Sequence, residues 1–155
     1  MKCTFCKFAS GSAQCHTVWE DDSHLAFLSN RPNTDGFTVV ITRDHLTSNV
    51  LALPLARLTL LMAAAQNVSK KLIAAFDDVG RVGLVAEGFG IDHAHVKLIP
   101  MHGTPKRGWH PILSSVGTRI ERYEGYLSSH NGPEVDAQTL FAIAEKIRSA
   151  VPGSP

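Results

Sequence analysis

His93-Ala94-His95-Val96-Lys97-Leu98-Ile99-Pro100 reads as a β-strand with two unlike faces. Successive side chains of a strand point to opposite sides of its sheet. Ala94, Val96 and Leu98 then face a core. His93, His95 and Lys97 line the other side, about 7 Å apart at the usual rise of a strand. Ile99 breaks the polar series, and Pro100 is expected to end the strand. Just upstream, Glu87-Gly88-Phe89-Gly90 holds two glycines, and Gly88 in particular would let a ligand approach the backbone closely. An imidazole attacks phosphorus when its lone pair is aimed and its other nitrogen is held, and a strand aims it better than a loop. Lys97 suits the neutralisation of phosphate oxygens. A solvated strand face that happens to carry two histidines fits the spacing equally well.

Four more strands are expected ahead of this one. Thr17-Val18-Trp19-Glu20 and His24-Leu25-Ala26-Phe27-Leu28 flank the turn residues Asp21-Asp22-Ser23. Phe37-Thr38-Val39-Val40-Ile41-Thr42 is rich in β-branched residues and follows Asp35-Gly36. Arg81-Val82-Gly83-Leu84-Val85 is the fourth. Between the last two, Leu58, Leu61, Met62, Ala65, Val68, Leu72 and Phe76 recur at helical spacing behind Pro54, which suits a first helical turn. That helix spans roughly 30 Å. A short helix over residues 114–122, a Tyr-Glu-Gly-Tyr-Leu strand after it, and a last helix from the cap Asp136 to about Ala150 complete the pattern. The class is α+β, with antiparallel pairing of neighbouring strands, as one domain over 1–150 and a frayed tail over 151–155.

Composition narrows the function. Of 155 residues, 44% are hydrophobic and 19% charged, as in a water-soluble globular chain. A formal net charge of +1 supplies no basic field for a nucleic acid polymer or an anionic membrane, so anion affinity must be local. The stretch Leu51 to Met62 is broken by Pro54, Arg57 and Thr59, so no membrane span is expected. The opening Met-Lys-Cys-Thr-Phe-Cys has no apolar run behind it, which argues against a secretory signal. Three cysteines do not make a disulfide framework, and a reducing cytoplasm is the expected compartment.

The strand quoted first resembles the signature of the histidine triad (HIT) family, His-x-His-x-His followed by two apolar residues. The family's opening is matched as well. Cys3-Thr4-Phe5-Cys6-Lys7, Val18-Trp19-Glu20-Asp21-Asp22, Leu25-Ala26-Phe27-Leu28, Pro32, Gly36, Val39-Val40-Ile41 and Arg43-Asp44-His45 fall in the usual order. The resemblance covers roughly residues 1 to 102 and rests on two separated regions. It implies a HIT-like fold: a five-stranded antiparallel sheet with one long helix and a C-terminal helix. It also implies a reaction. The second signature histidine attacks the α-phosphate of a nucleotide conjugate, and water or another acceptor resolves the nucleotidyl-histidine. Carried over, His95 is the nucleophile, and Lys97 stands where the third histidine usually does. Uridylyltransferase and dinucleotide phosphorylase branches carry glutamine there. The family often has an aspartate where this chain has Ser29, beside Asn30, in the region that meets ribose. It also has an asparagine and a Gly-Gln-Ser or Gly-Gln-Thr run where this chain has Ala86-Glu87-Gly88-Phe89-Gly90-Ile91-Asp92.

Cys3 and Cys6 form a C-x-x-C knuckle, by itself only half of a zinc site. The resemblance implies the other half, His45 and His93, as in some bacterial members and the uridylyltransferases, and so a structural zinc. Without the resemblance, two reduced surface thiols and two unrelated histidines account for the same residues. Family members are commonly homodimers, so a homodimer is expected, with the long helix and the C-terminal segment as contact surfaces. The expected ligand is a nucleotide or another phosphate-containing small molecule. A zinc-containing member that holds such a ligand without turning it over is the alternative to an enzyme. His102 in Met101-His102-Gly103 is a candidate for the phosphate or for proton donation in place of the missing histidine, although a plain loop histidine is the simpler reading. Cys15 reads as an inert thiol, Trp19 and Trp109 as core by default, Lys106 and Arg107 as a solvated loop, and His130 as part of a turn.

Overall fold

The sheet is assembled from β1 (Thr17–Glu20), β2 (His24–Leu28), β3 (Thr38–Thr42), β4 (Val79–Val85) and β5 (His95–His102) in a computed structural model that describes residues 3–113 and 133–151. The helix expected over 114–122, the strand after it, His130 and residues 152–155 lie outside the described residues. The strand order is β1-β2-β3-β5-β4, with every neighbouring pair antiparallel. Thus β5 is inserted between β3 and β4. This gives the expected five-stranded antiparallel sheet.

One face of the sheet carries the larger core. Val18, Ala26, Leu28, Val40, Ala94, Val96 and Leu98 pack there against α2 (Leu55–Ala75) and α3 (Ala137–Ser149). In α2 the expected stripe is the buried one: Leu61, Ala65, Val68 and Leu72 are interior, with Leu58 and Met62 partly covered. Burying each such aliphatic chain contributes about 1.5–3 kcal/mol, which fixes the helix across the sheet. Pro54 is the residue just before the first turn of α2, where its missing N–H costs nothing. Asp136 caps α3 by accepting from the Thr139 N–H at 2.9 Å.

The opposite face holds the smaller core, made of Phe5, Leu25, Phe27, Phe37, Val39 and Ile41. It is covered by α1 (Thr4–Ala9), a six-residue helix that sequence periodicity did not reveal. Two corrections concern β5. It does not begin at His93, which lies in a bend, and it does not end at Pro100. Pairing with β3 stops at Leu98, whereas Val82 of β4 still faces Pro100. A strand partnered on one side only tolerates a residue without an N–H. Trp109 is also not core: it is 71% exposed, while Trp19 packs against the larger core. Among the described residues no helix is long and apolar enough to cross a membrane.

Candidate functional site

In β5, His95 and Lys97 stand opposite Ile41 and Val39 of β3, two members of the smaller core. Both side chains therefore leave the sheet on the α1 side. There they line a cavity of about 490 Å³ together with Phe5, Phe8, Phe27, Ser29 and Asn30. Gly90 and Ile91 close one side of it, and Gln14, Cys15 and His16 another.

His95 is held for nucleophilic work. Its Nδ1 donates to the His93 carbonyl at 2.7 Å, which leaves the lone pair on Nε2. The Phe5 ring meets the imidazole edge-on at 5.3 Å between centroids. Only 2% of the residue is exposed. That burial lowers the pKa of the ring, and the nearby Lys97 charge lowers it further, against the opposing pull of the His93 carbonyl and of Glu87. The imidazole is neutral at neutral pH, the state a nucleophile requires.

Lys97 has a partner that sequence reading passed over. Its ammonium forms an ion pair with Oε1 of Glu87, a residue on the connection from β4 to β5. The Glu87 side chain is 6% exposed and that of Lys97 16%. The only sequence signal was the placement of a carboxylate in the run that precedes the signature.

Four sulfur and nitrogen donors converge beside this cavity. Cys3 precedes α1, Cys6 lies within it, His45 follows β3, and His93 precedes β5. The Sγ of Cys3 and of Cys6 both lie 3.5 Å from His93 Nδ1. Cys6 Sγ lies 3.3 Å from His45 Nδ1, and the two Nδ1 atoms are 3.3 Å apart. All four donor atoms fall within 4.8 Å of one another, so the set can hold a metal ion. The orientation of His93 is fixed from behind: its Nε2 donates to the Thr42 carbonyl at 2.7 Å, which turns the Nδ1 lone pair inward. Burial pushes the Cys6 thiol up and holds His93 below its ordinary value. A neutral imidazole is what a cation needs, and a cation reverses the bias of the thiol.

Ser29 and Asn30 are thus brought to His95 and Lys97, and Cys3, Cys6, His45 and His93 to one another. Two other residues are not. His102 stands seven residues further along the same strand, about 23 Å from His95 at the usual rise. Its Nδ1 meets Asp78 at 3.0 Å and its Nε2 the Asp35 carbonyl at 3.0 Å. Burial opposes protonation there, yet these two oxygen partners hold the ring above its ordinary value. Gly88 has a left-handed φ of 70°, and a Cβ on it would stand 2.4 Å from the Ser48 carbonyl oxygen. The close approach its lack of a side chain permits is to this chain's own backbone. Gly90 is the glycine that borders the cavity, with open space where a Cβ would point. Cys15 is half-buried and contacts the Thr17 hydroxyl.

Comparison with known proteins identifies the family. The HIT domain family model matches residues 10–104. An uncharacterised HIT-like protein of Mycobacterium tuberculosis is 33% identical over 70 residues, 45% of this chain, and the chain spans about half (48%) of that relative's length. An adenosine 5′-monophosphoramidase of Schizosaccharomyces pombe is 29% identical over 101 residues, covering 64% of this chain and 74% of the relative. Among solved structures, a zinc-bound histidine triad family protein from Mycobacterium smegmatis superposes with a TM-score of 0.67 at 19% identity, over 96% of this chain and 92% of that one.

Proposed function

Since the chain belongs to the histidine triad family, whose HIT domain it carries over residues 10–104, we propose that it is a nucleotide phosphate hydrolase or nucleotidyltransferase working through a covalent nucleotidyl-histidine on His95. The observation that carries this is the 2.7 Å contact between His95 Nδ1 and the His93 carbonyl oxygen, an acceptor that assigns the ring proton to Nδ1. With Nδ1–H committed to the His93 carbonyl, Nε2 is the nucleophile, and the ring lines the cavity. As Nε2 bonds to phosphorus, the ring becomes cationic. The His93 carbonyl, already accepting from Nδ1, stabilises that charge without reorganisation.

The other cavity residues take matching parts. Phe8, Phe27 and Ile91 offer apolar surface to a base, Ser29 and Asn30 offer hydrogen bonds to a sugar, and Lys97 lies where phosphate oxygens meet His95. The S. pombe monophosphoramidase supports a nucleotide as ligand.

Cys3, Cys6, His45 and His93 hold a structural zinc in this reading. A tetrahedral zinc with ordinary bond lengths sets sulfur–nitrogen edges of about 3.5 Å and nitrogen–nitrogen edges of about 3.3 Å. The four measured separations run from 3.3 to 3.5 Å. Four protein ligands close the coordination sphere, so the ion contributes rigidity and no open position for substrate. The M. smegmatis neighbour is described as zinc-bound. A homodimer in a reducing cytoplasm belongs to the same reading. Exposed Leu55 and Leu60 on the long helix and Phe141 on the C-terminal helix offer apolar surface for it, and light scattering at micromolar protein reads the mass directly.

The test is incubation with the p-nitrophenyl esters of AMP and of GMP, followed by intact-protein mass spectrometry at early times. One nucleotidyl group per chain, mapped to His95 and lost in His95→Ala, is expected. Turnover that survives His95→Ala overturns the assignment. Ligand-induced stabilisation with no product and no adduct makes the protein a binder of nucleotides instead.

A further inference from the structure

The HIT domain match ends at residue 104, yet a later segment reaches back to the wall of the cavity. We propose that the segment ahead of α3 is a working part of the substrate site, with Glu134 and Val135 as positioning residues that hold the Ser29-Asn30 turn against the sugar of a nucleotide. This rests on the reading of the cavity as a nucleotide site and goes beyond it by giving a task to residues outside the matched domain.

Ser29 and Asn30 line the cavity just past the end of β2, and the sheet holds them unequally. The Ser29 N–H donates to the Phe37 carbonyl at 3.0 Å, so Ser29 is still fixed to the chain entering β3. Asn30 lies one residue further out. Its carbonyl accepts from the Val135 N–H at 3.1 Å. Next to it, the Arg31 guanidinium forms an ion pair with the Glu134 carboxylate at 3.3 Å. The two contacts join 30 to 135 and 31 to 134, the register of a short antiparallel crossing. The crossing segment is itself anchored. Val135 packs against the larger core, Asp136 caps α3, and Leu140, Ala144 and Ile147 bury its inner face. At the far end of α3, Arg148 donates to the Thr17 carbonyl of β1. The gap between the turn and α3, lined by Ser29, Phe37, Val135 and Ile143, holds only about 10 Å³. That is room for one water at most, so the turn cannot sink towards the helix.

The exposed pair of Arg31 and Glu134 adds little stability. Its part, like that of the backbone bond, is to restrict the turn. A residue beyond the end of a strand has backbone freedom to lose when a ligand orders it. Where a tether has already removed that freedom, a hydrogen bond to a sugar hydroxyl forms at lower cost. The tether therefore acts on affinity for the sugar, and leaves the base contacts and the attack by His95 alone. Glu134 and Val135 are not among the described residues that line the cavity, so they work through the turn.

Equilibrium titration with AMP and with 2′,3′-dideoxy-AMP isolates the sugar hydroxyls from base and phosphate. The wild type is expected to bind AMP about tenfold more tightly, as one or two hydrogen bonds allow. Val135→Pro deletes the N–H. It is expected to weaken AMP by about fivefold and the dideoxy analogue by less than about twofold, so the preference collapses. Glu134→Arg should do the same to a smaller degree. The altered net charge moves both ligands alike and leaves their ratio untouched. Combining it with Arg31→Glu restores the pair in reverse and should recover the preference. Thermal melting checks that each variant is folded, and should Val135→Pro unfold, Glu134→Arg and its rescue carry the test. Equal losses on both ligands, or a preference unchanged in the folded variants, overturn the proposal and return the segment to a plain support of α3. A wild type that binds both ligands alike removes the sugar contact and the proposal with it, while a His95 adduct from the p-nitrophenyl ester of AMP would still uphold the nucleophile. A wild type that binds neither ligand and forms no adduct removes the nucleotide reading itself.

Discussion

At the scale of single residues, the decisive fact is the state of one imidazole. His95 sits below its ordinary pKa because burial penalises its charged form, and the Lys97 ammonium adds to the effect. Attack on phosphorus needs the neutral ring, so the acid limb of kcat/KM is expected below the ordinary histidine value of about 6.5. The same shift links to stability. Between the folded and unfolded values the unfolded chain binds more protons at this site, so stability rises with pH there. The contribution is fully present above the unfolded value near 6.5 and is lost as pH falls through the folded one. A pH–rate profile of the p-nitrophenyl ester, limited by chemistry, is the measurement. An acid limb at or above that ordinary value contradicts the buried neutral ring.

At the scale of elements, the connection from β4 to β5 matters most, because it delivers both Glu87 and His93. It is tied down at Gly88, whose left-handed φ and missing Cβ let it pass the Ser48 carbonyl oxygen, and at Asp92, which accepts from the Ser48 N–H at 3.0 Å. Gly88→Ala places a methyl group 2.4 Å from that carbonyl oxygen in a conformation that alanine avoids. A loss of about 1–3 kcal/mol is expected from urea unfolding, together with lower activity as Glu87 is displaced. Unchanged stability removes this account of the connection. The sequence made the strands legible where one face was apolar: the alternation of Ala94, Val96 and Leu98 is the one found in the core. It hid α1, since six residues span too few turns to show a period. It also hid the partner of Lys97, because Glu87 lies ten residues away and meets it only through the antiparallel return of β4 onto β5. The four metal-binding candidates were legible only as a pattern shared with other chains, since nothing local links Cys3 and Cys6 to His45 and His93. His102 was drawn towards the site by its nearness in sequence, and strand geometry carries it to the far end.

At the scale of the whole molecule, the Cys3–Cys6–His45–His93 donor cluster and the cavity share a wall, and that makes stability and binding one question. The element α1 contributes Cys6 to the donor set and follows Cys3. The same six residues place Phe5 and Phe8 along the cavity. An isolated helix of this length does not hold itself together, and no side chain caps its N-terminus. It is anchored by the smaller core and by Arg43 donating to the Ala9 carbonyl at 3.0 Å, and an ion bound by the four donors would anchor it further. An ion that binds only the folded chain stabilises it by about 4 kcal/mol at a thousand times its Kd. A change of 1 kcal/mol moves the Tm of a chain this size by about 2–4 °C. Removal of the metal by a strong chelator is therefore expected to lower Tm by about 10 °C and to weaken nucleotide binding in parallel, as the Phe5–Phe8 wall loosens. Cys6→Ser should do both without chelator, and added zinc should restore the stripped wild type but not the variant. Calorimetry with and without chelator, paired with elemental analysis, measures the first effect, and titration with AMP measures the second. Protein that carries no metal and melts at the same temperature after chelation would show that core packing alone seats α1, and would dissolve the link between the cluster and the cavity.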